Sequence, residues 1–226
     1  MSKDNGLKRL GVIPDGNRRY ARKNNISYRK AYKEGFNKLE QLYKWCLETS
    51  IDEVVFYALS TENLKRKDTE IDLLFKVFRQ GLDKFLDSDF VHKNKINIEF
   101  LGRKDYVEEV LDEMNKVENA TANYEKNSLK VCIGYGGRKE IIDSVKKVNE
   151  KDLELNEENL SNHLYYGKDL DLVLRTGGYQ RLSNFMLWQN SYAELFFSDH
   201  LWPELDRKEF EKAVDFYEST KRKFGK

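Results

Sequence analysis

The chain has 226 residues, 39% of them apolar and 35% charged, with 40 Lys and Arg set against 39 Asp and Glu. Such a length and apolar content suit a single globular domain with a real core. The near-cancelled charge excludes a global basic field for nucleic acid and an acidic solvating tail, so any anion site must be a local cluster.

Short apolar runs alternate with helical periodicity along the chain. LGVI (Leu10 to Ile13) reads as a strand ending at Pro14, and a Gly-containing turn then leads into a basic helix. Lys33 to Glu48 places Phe36, Leu39, Leu42, Tyr43, Cys46 and Leu47 on one helical face. EVVFYAL, from Glu53, is β-branched and aromatic and reads as a buried strand. Between Thr69 and Leu86, Ile71, Leu74, Phe75, Phe78, Leu82 and Phe85 recur at helical spacing. INIEFLG (from Ile96) is a strand, Asp105 to Tyr124 a helix, LKVCIGY (from Leu129) a strand, and Arg138 to Asn149 a helix. Glu157 to Tyr165 adds a further helix before the strand DLVLRT, from Asp171. Phe185 to Trp188 and Glu194 to Phe197 read as short strands or turns, and Asp206 to Lys223 as a closing helix.

Only Pro14 and Pro203 interrupt this pattern, and no Gly/Ser-rich linker or repeat divides it. One domain over 1–226 is the simplest account. Strands alternating with helices argue for an α/β fold with a mostly parallel central sheet covered on both faces. Ligands in such sheets bind beyond the carboxyl ends of the strands. Cys46 and Cys132 sit in apolar stretches and read as reduced core thiols. No C-x-x-C pair exists and His92, His163 and His200 are scattered, so zinc is not expected. The opening MSKDNGLKRLGV lacks the apolar stretch of a signal peptide, and no run reaches the ~18 apolar residues of a membrane span. A cytoplasmic location is the expectation.

Four clusters carry chemistry. In IPDGNRRYARKN, Asp15, Gly16 and Asn17 form a turn followed by Arg18, Arg19, Arg22 and Lys23. Backbone N–H groups and guanidiniums so placed suit a diphosphate, and Asp15 among them suits Mg²⁺; the alternative is a solvated basic helix after a D-G turn. In YALSTENLKR, Ser60, Glu62, Asn63 and Arg66 are polar groups at a strand end, or simply a capped turn. In LRTGGYQRLSNF, Arg175 and Arg181 flank Gly177 and Gly178, with Ser183 following. Two arginines around a flexible backbone suit a second anion. In SYAELFF, Glu194 stands alone in an apolar run, a costly place for a carboxylate without a partner. It reads equally as a metal ligand or as an ion-pair partner of Arg175 or Arg181.

In this order and spacing the four clusters resemble the cis-prenyltransferase family, the undecaprenyl diphosphate synthase-like enzymes. DGN-RRYA, YALSTEN-KR, GYGGR and the long run RTGGYQRLSNFMLWQNSYAELFFSDHLWPEL carry the likeness from Leu10 to about Gly225. The resemblance implies a single α/β domain, commonly a homodimer, with a hydrophobic tunnel between the sheet and two helices. It implies a magnesium-dependent transferase that condenses isopentenyl diphosphate onto an allylic diphosphate primer with cis geometry. Asp15 would then support Mg²⁺, while Gly16, Asn17, Arg18 and Arg19 hold the allylic diphosphate, with Tyr20 and Tyr32 beside it. Arg175, Arg181 and Ser183 would take the extender diphosphate, and Glu194 would help place the metal. Asn63, with Ser60 and Arg66 around it, falls at the position tied to proton removal. A lipid product implies at most a peripheral contact with membranes.

The chain departs from the family pattern at Pro14, Arg18, Tyr20, Tyr32, Leu64, Tyr179 and Lys223. These changes surround the first substrate and open an alternative, irregular head-to-middle condensation to lavandulyl or cyclolavandulyl-type products. Phe75 and Phe78 are bulky enough to limit chain length, besides their ordinary role as core. A non-catalytic partner subunit is a further alternative, against which the retained Asp15, Asn63, Arg175, Arg181 and Glu194 argue.

Overall fold

The computed structural model describes residues 6–65 and 68–220. In chain order it runs β1 (Arg9–Ile13), α1 (Asn17–Lys23), α2 (Tyr28–Glu48), β2 (Glu53–Ser60), α3 (Asp68–Leu86), α4 (Asp89–Lys93) and β3 (Ile96–Leu101). It continues with α5 (Leu111–Thr121), β4 (Asn127–Tyr135), α6 (Gly137–Glu150), α7 (Glu157–His163), β5 (Leu172–Arg175), β6 (Glu194–Phe197) and α8 (Arg207–Ser219). The six strands pair in the order β3-β4-β2-β1-β5-β6, every pair parallel.

Parallel strands need crossovers, and these lay helices over both faces, so the strands are buried nearly throughout. β4 shows it, with eight of nine residues buried. Alternation along β2 then splits the core. Val54 and Phe56 face Leu39, Leu42 and Tyr43 of α2, Phe75 and Leu82 of α3, and Phe210 of α8. Val55 and Tyr57 face Tyr135, Tyr166 and Phe185 on the other side. Each large apolar side chain so buried contributes about 1.5–3 kcal/mol. Cys46 and Cys132 are free, buried core thiols, and burial pushes the pKa of both up.

The strand order also places the crevice. The connection after β1 runs toward β2, while that after β5 runs toward β6 on the opposite side. The gap above the carboxyl ends of β1 and β5 is therefore the topological switch point, where ligands of open α/β sheets bind.

Several element boundaries differ from the sequence reading. α2 starts at Tyr28 rather than at Lys33, because the Ser27 side chain accepts a hydrogen bond from the Lys30 N–H and caps it. The helix expected over Asp105 to Tyr124 shrinks to α5. Val107, at φ −138°, and Val110 are buried in the core, and the segment before α5 forms two 3₁₀ turns instead. Phe185 to Trp188, read as a short strand or turn, is a turn, in keeping with that reading, since Asn184 and Met186 adopt left-handed φ of 65° and 44°. α8 ends at Ser219, and Arg66 and Lys223 lie outside the described residues.

Candidate functional site

A cleft of about 530 Å³ opens at the switch point and runs down between the sheet and helices α2 and α3. Among the described residues, five arginines line it (Arg18, Arg19, Arg22, Arg175 and Arg181) and one carboxylate, Asp15. Deeper in, Phe36, Leu39, Phe56, Leu74, Phe75 and Phe78 make its walls. One end is thus cationic and the other apolar.

Asp15 follows β1 directly and is fixed on all sides. Its backbone carbonyl accepts from Thr176 Oγ1 at 2.8 Å and from the Trp202 N–H at 3.0 Å. Arg175 Nη2 donates to Asp15 Oδ2 at 2.9 Å, and Arg19 Nη2 stands 3.4 Å from Oδ1. Gly16 takes the next position at φ 117°, where a Cβ would lie 2.9 Å from the Leu201 backbone, so no side chain fits. Trp202 Nε1 donates to the Gly35 carbonyl at 2.7 Å, tying this turn to α2.

Arg175, the last residue of β5, is 3% exposed. Its Nη1 donates to the Arg181 carbonyl and to Ser183 Oγ. Burial draws its pKa down; Asp15 opposes this, and the neighbouring Arg181 and Arg19 guanidiniums add to the lowering. Three buried polar atoms here have no hydrogen-bond partner: Arg175 Nε, Arg19 Nη2 and Asn17 Oδ1. Two of these, Arg175 Nε and Arg19 Nη2, are donors of the kind an anionic ligand would satisfy, while Asn17 Oδ1 is an acceptor and suits a donor or a cation.

On the β2 side, register shifts past Tyr57 and Leu59 turn Ser60 into the cleft. Ser60 and Asn63 cap each other: the Asn63 N–H donates to Ser60 Oγ at 3.1 Å, and the Ser60 N–H donates to Asn63 Oδ1 at 3.3 Å. The capped turn and the polar site are therefore the same structure. Beside it, burial pushes the Glu62 carboxyl pKa up. Hydrogen bonds from its own backbone, Asn184, Ser60 and Thr61 outweigh burial and hold it below the ordinary value. At the mouth, Arg18 Nη1 reaches Glu70 of α3 at 3.3 Å, and the Tyr32 hydroxyl donates to the same carboxylate.

Asp15, Gly16, Asn17, Arg18, Arg19, Tyr32, Ser60, Asn63, Arg175, Arg181 and Ser183 all line this one cleft. Tyr20 does not; it faces Glu34, whose carboxylate holds its hydroxyl pKa up through a hydrogen bond. Glu194 does not either. It opens β6 opposite Leu172, whereas Arg175 pairs with Phe197 at the far end of the same ladder. Nor does Glu194 pair with Arg175, whose guanidinium is engaged by Asp15, the Arg181 carbonyl and Ser183. Gly35, Thr176, Trp202 and Asn184 build the site without having been read from the sequence. The W-P pair was the available signal for Trp202; Thr176 and Asn184 act through side-chain hydrogen bonds to Asp15 and Glu62, and Gly35 through its carbonyl, contacts that leave no composition mark.

The model of the family described as putative undecaprenyl diphosphate synthase matches residues 13–225. The tritrans,polycis-undecaprenyl-diphosphate synthase (geranylgeranyl-diphosphate specific) of Thermoplasma volcanium is 41% identical, over 97% of this chain and 89% of its own. The isoprenyl transferase of Campylobacter jejuni is 40% identical, over 98% of this chain and 100% of its own. The crystal structure of a probable undecaprenyl diphosphate synthase from Campylobacter jejuni superposes with a TM-score of 0.85 at 38% identity, over 97% and 99% of the two chains. Lavandulyl diphosphate synthase from Lavandula x intermedia, in complex with dimethylallyl diphosphate, gives a TM-score of 0.90 over 99% and 100% of the chains. At 24% identity that likeness shows the fold alone.

Proposed function

The chain belongs to the undecaprenyl diphosphate synthase family of prenyltransferases, and on that premise we propose that it condenses isopentenyl diphosphate onto an allylic diphosphate primer with cis geometry, in a magnesium-dependent reaction. One observation carries this reading: a single cleft joins an arginine-lined mouth to an apolar depth. A prenyl diphosphate has the same two ends.

The guanidiniums of Arg18, Arg19, Arg175 and Arg181 would hold the diphosphates and meet the negative charge that grows on the leaving group as the allylic C–O bond ionises. Phe36, Phe75 and Phe78 would keep water from the carbocation and its tail. Asn63, pinned by Ser60, would orient a group near the proton to be lost, since its amide is too weak a base to take that proton itself.

The donor set fits a particular kind of metal site. Among the described residues no three His, Cys, Asp or Glu side chains come together, so the protein alone makes no cage. Among the described residues one carboxylate, Asp15, faces the arginine-lined cleft, and Mg²⁺ is commonly bound by one or two carboxylates plus substrate phosphates. Asp15 would hold a cation that arrives with its diphosphate, and the cation would supply electrophilic stabilisation of the departing group. A role for Glu194 would need an approach other than through this cleft. The same reading includes assembly as a homodimer and a cytoplasmic location, with membranes met only through the lipid product; among the described residues no helix is long and apolar enough to cross a membrane.

The test is a product assay by mass spectrometry. Purified protein and Mg²⁺ are incubated with dimethylallyl, geranyl, farnesyl and geranylgeranyl diphosphates, each with and without isopentenyl diphosphate. The expected result is a linear ladder that requires isopentenyl diphosphate. The name of the Thermoplasma volcanium relative makes geranylgeranyl diphosphate the first primer to try. Branched or cyclic products made without the extender would overturn the elongating reading.

A further inference from the structure

We propose that Tyr179 is a positioning residue of the diphosphate cradle, its ring face acting as the shared counterweight that holds three like-charged guanidiniums in place before the anion arrives. The proposal rests on the reading of the cleft as a diphosphate site and adds to it a residue outside the Asp15 and Arg175 machinery.

The geometry is specific. The Tyr179 ring centroid lies 4.2 Å from the Arg181 guanidinium carbon, 4.8 Å from that of Arg19 and 6.0 Å from that of Arg175. The ring is also 44% exposed, so no packing requirement of the core explains it. Three cations share this corner, and the carboxylate that pairs with them among the described residues, Asp15, is already engaged by Arg175 and Arg19. Like charges so close repel, and long arginine side chains lose entropy when held. An aromatic face attracts each of them without adding a charge that would compete with the substrate.

The chain spends backbone geometry to put the ring there. Gly177, at φ 86°, passes so close to Arg19 that a Cβ would lie 2.5 Å from its Nη2. The Gly177 N–H donates to the His200 carbonyl at 2.7 Å and the Gly178 N–H to that of Ser198 at 2.9 Å. The loop is thus anchored on the segment after β6, with Tyr179 delivered over the arginines. The Tyr179 hydroxyl has no hydrogen-bond partner among the described residues, so the ring rather than the O–H is the working part. Arg175 Nε, without a hydrogen-bond acceptor, and Arg19 Nη2, with only the Asp15 carboxylate 3.4 Å away, are the donors it would keep ready.

Inorganic diphosphate, titrated calorimetrically into the whole protein in Mg²⁺ buffer, is the direct probe. Wild type is compared with Tyr179→Phe, Tyr179→Leu and Tyr179→Ala, each shown to be folded by its thermal melt. The Phe variant is expected to bind within about twofold of wild type, and the Leu and Ala variants about 3–10-fold more weakly, the scale of one or two partly exposed cation–π contacts. In turnover, the KM of a diphosphate substrate should rise by a similar factor in the Leu and Ala variants while kcat stays within about twofold. Wild-type affinity in the Leu or Ala variant would overturn the proposal, and so would a Phe variant as weak as Leu, which would move the role to the hydroxyl. A wild type that binds diphosphate but makes no prenyl product would remove the functional reading and leave the Tyr179 comparison standing. A wild type that binds no diphosphate would overturn both.

Discussion

The two ends of the sheet both bury charge, and they treat it in opposite ways. At the amino end, Glu53 is 7% exposed and accepts from the Tyr166 hydroxyl at 2.5 Å, with Lys168 Nζ 3.6 Å away. Just before β5, Asp171 accepts from the backbone N–H groups of Lys8 and Arg9 at 3.0 and 2.8 Å. Each carboxylate there has its partners inside the protein. At the carboxyl end, Arg175 is as buried as Glu53, yet its Nε has no hydrogen-bond partner, and Arg19 Nη2 has only the Asp15 carboxylate 3.4 Å away. A buried polar group that is satisfied locks the fold; one left open on a cleft is waiting for a ligand. Charge alone does not separate the two cases, since both ends carry carboxylates and cations. For the charged groups the bonding state does, although the neutral hydroxyls of Tyr43 and Ser128 near the amino end also lack hydrogen-bond partners.

The largest test of this contrast is Asp15→Ala. Loss of the carboxylate that holds Arg175 and faces the proposed diphosphate site should lower kcat/KM by at least about 10²–10³-fold, the cost of removing a group that stabilises developing charge. Steady-state kinetics with excess Mg²⁺ checks it, with the thermal melt confirming a folded protein. Near-normal rates would mean that the carboxyl end is not the reacting end.

At the opposite end, Glu53→Ala should do the reverse. It strips the acceptor from the buried Tyr166 hydroxyl and should cost about 1–3 kcal/mol of stability, read by denaturant unfolding. Turnover per folded molecule should not change. A fall in kcat without a fall in stability would break the division between the ends.

The smallest effect concerns the second face of the sheet, where Glu140 is fully buried and bonded to the Tyr135 hydroxyl and to Gln189 Nε2. Burial raises its pKa above 4.5, and the hydrogen bonds it accepts only partly offset this. The folded protein therefore binds this proton more tightly than the unfolded chain does. Stability from this group is greatest below the unfolded value and falls as pH rises from there through the raised folded value. Glu140→Gln removes the titration. Its destabilisation relative to wild type should be largest in acid and shrink as pH rises, by about 1.4 kcal/mol for each pH unit by which the folded pKa is raised. Unfolding curves of both proteins across that window measure it. A gap that widens with pH would reverse the sign of the shift.

Much of the fold was legible along the chain. EVVFYAL and LKVCIGY are continuous apolar runs because a parallel strand covered on both faces has no solvent side. The helical face of α2 was read correctly at Leu39, Leu42, Tyr43 and Cys46 because burial repeats at the helical period. Boundaries were less legible. Asp105 to Val110 has helical composition, but burial of Val107 and Val110 overrides that propensity with 3₁₀ turns. In the site, Asp15, Asn63, Arg175 and Arg181 could be found because each follows or ends a strand, and the ends of parallel strands converge. Tyr20 and Glu194 could not be placed the same way. Tyr20 lies within α1, whose turn sends it toward Glu34, and Glu194 begins its strand instead of ending it.

The sequence by itself therefore determined the layer pattern, the parallel sheet and the set of charged groups gathered at strand ends, because periodicity and turn chemistry are local. Only the tertiary structure decided which end of the sheet each carboxylate occupies, which donors stay unpaired and which guanidiniums share the Tyr179 ring. Those depend on strand order and register, set by long-range pairing between segments more than a hundred residues apart, such as Asp15 with Arg175.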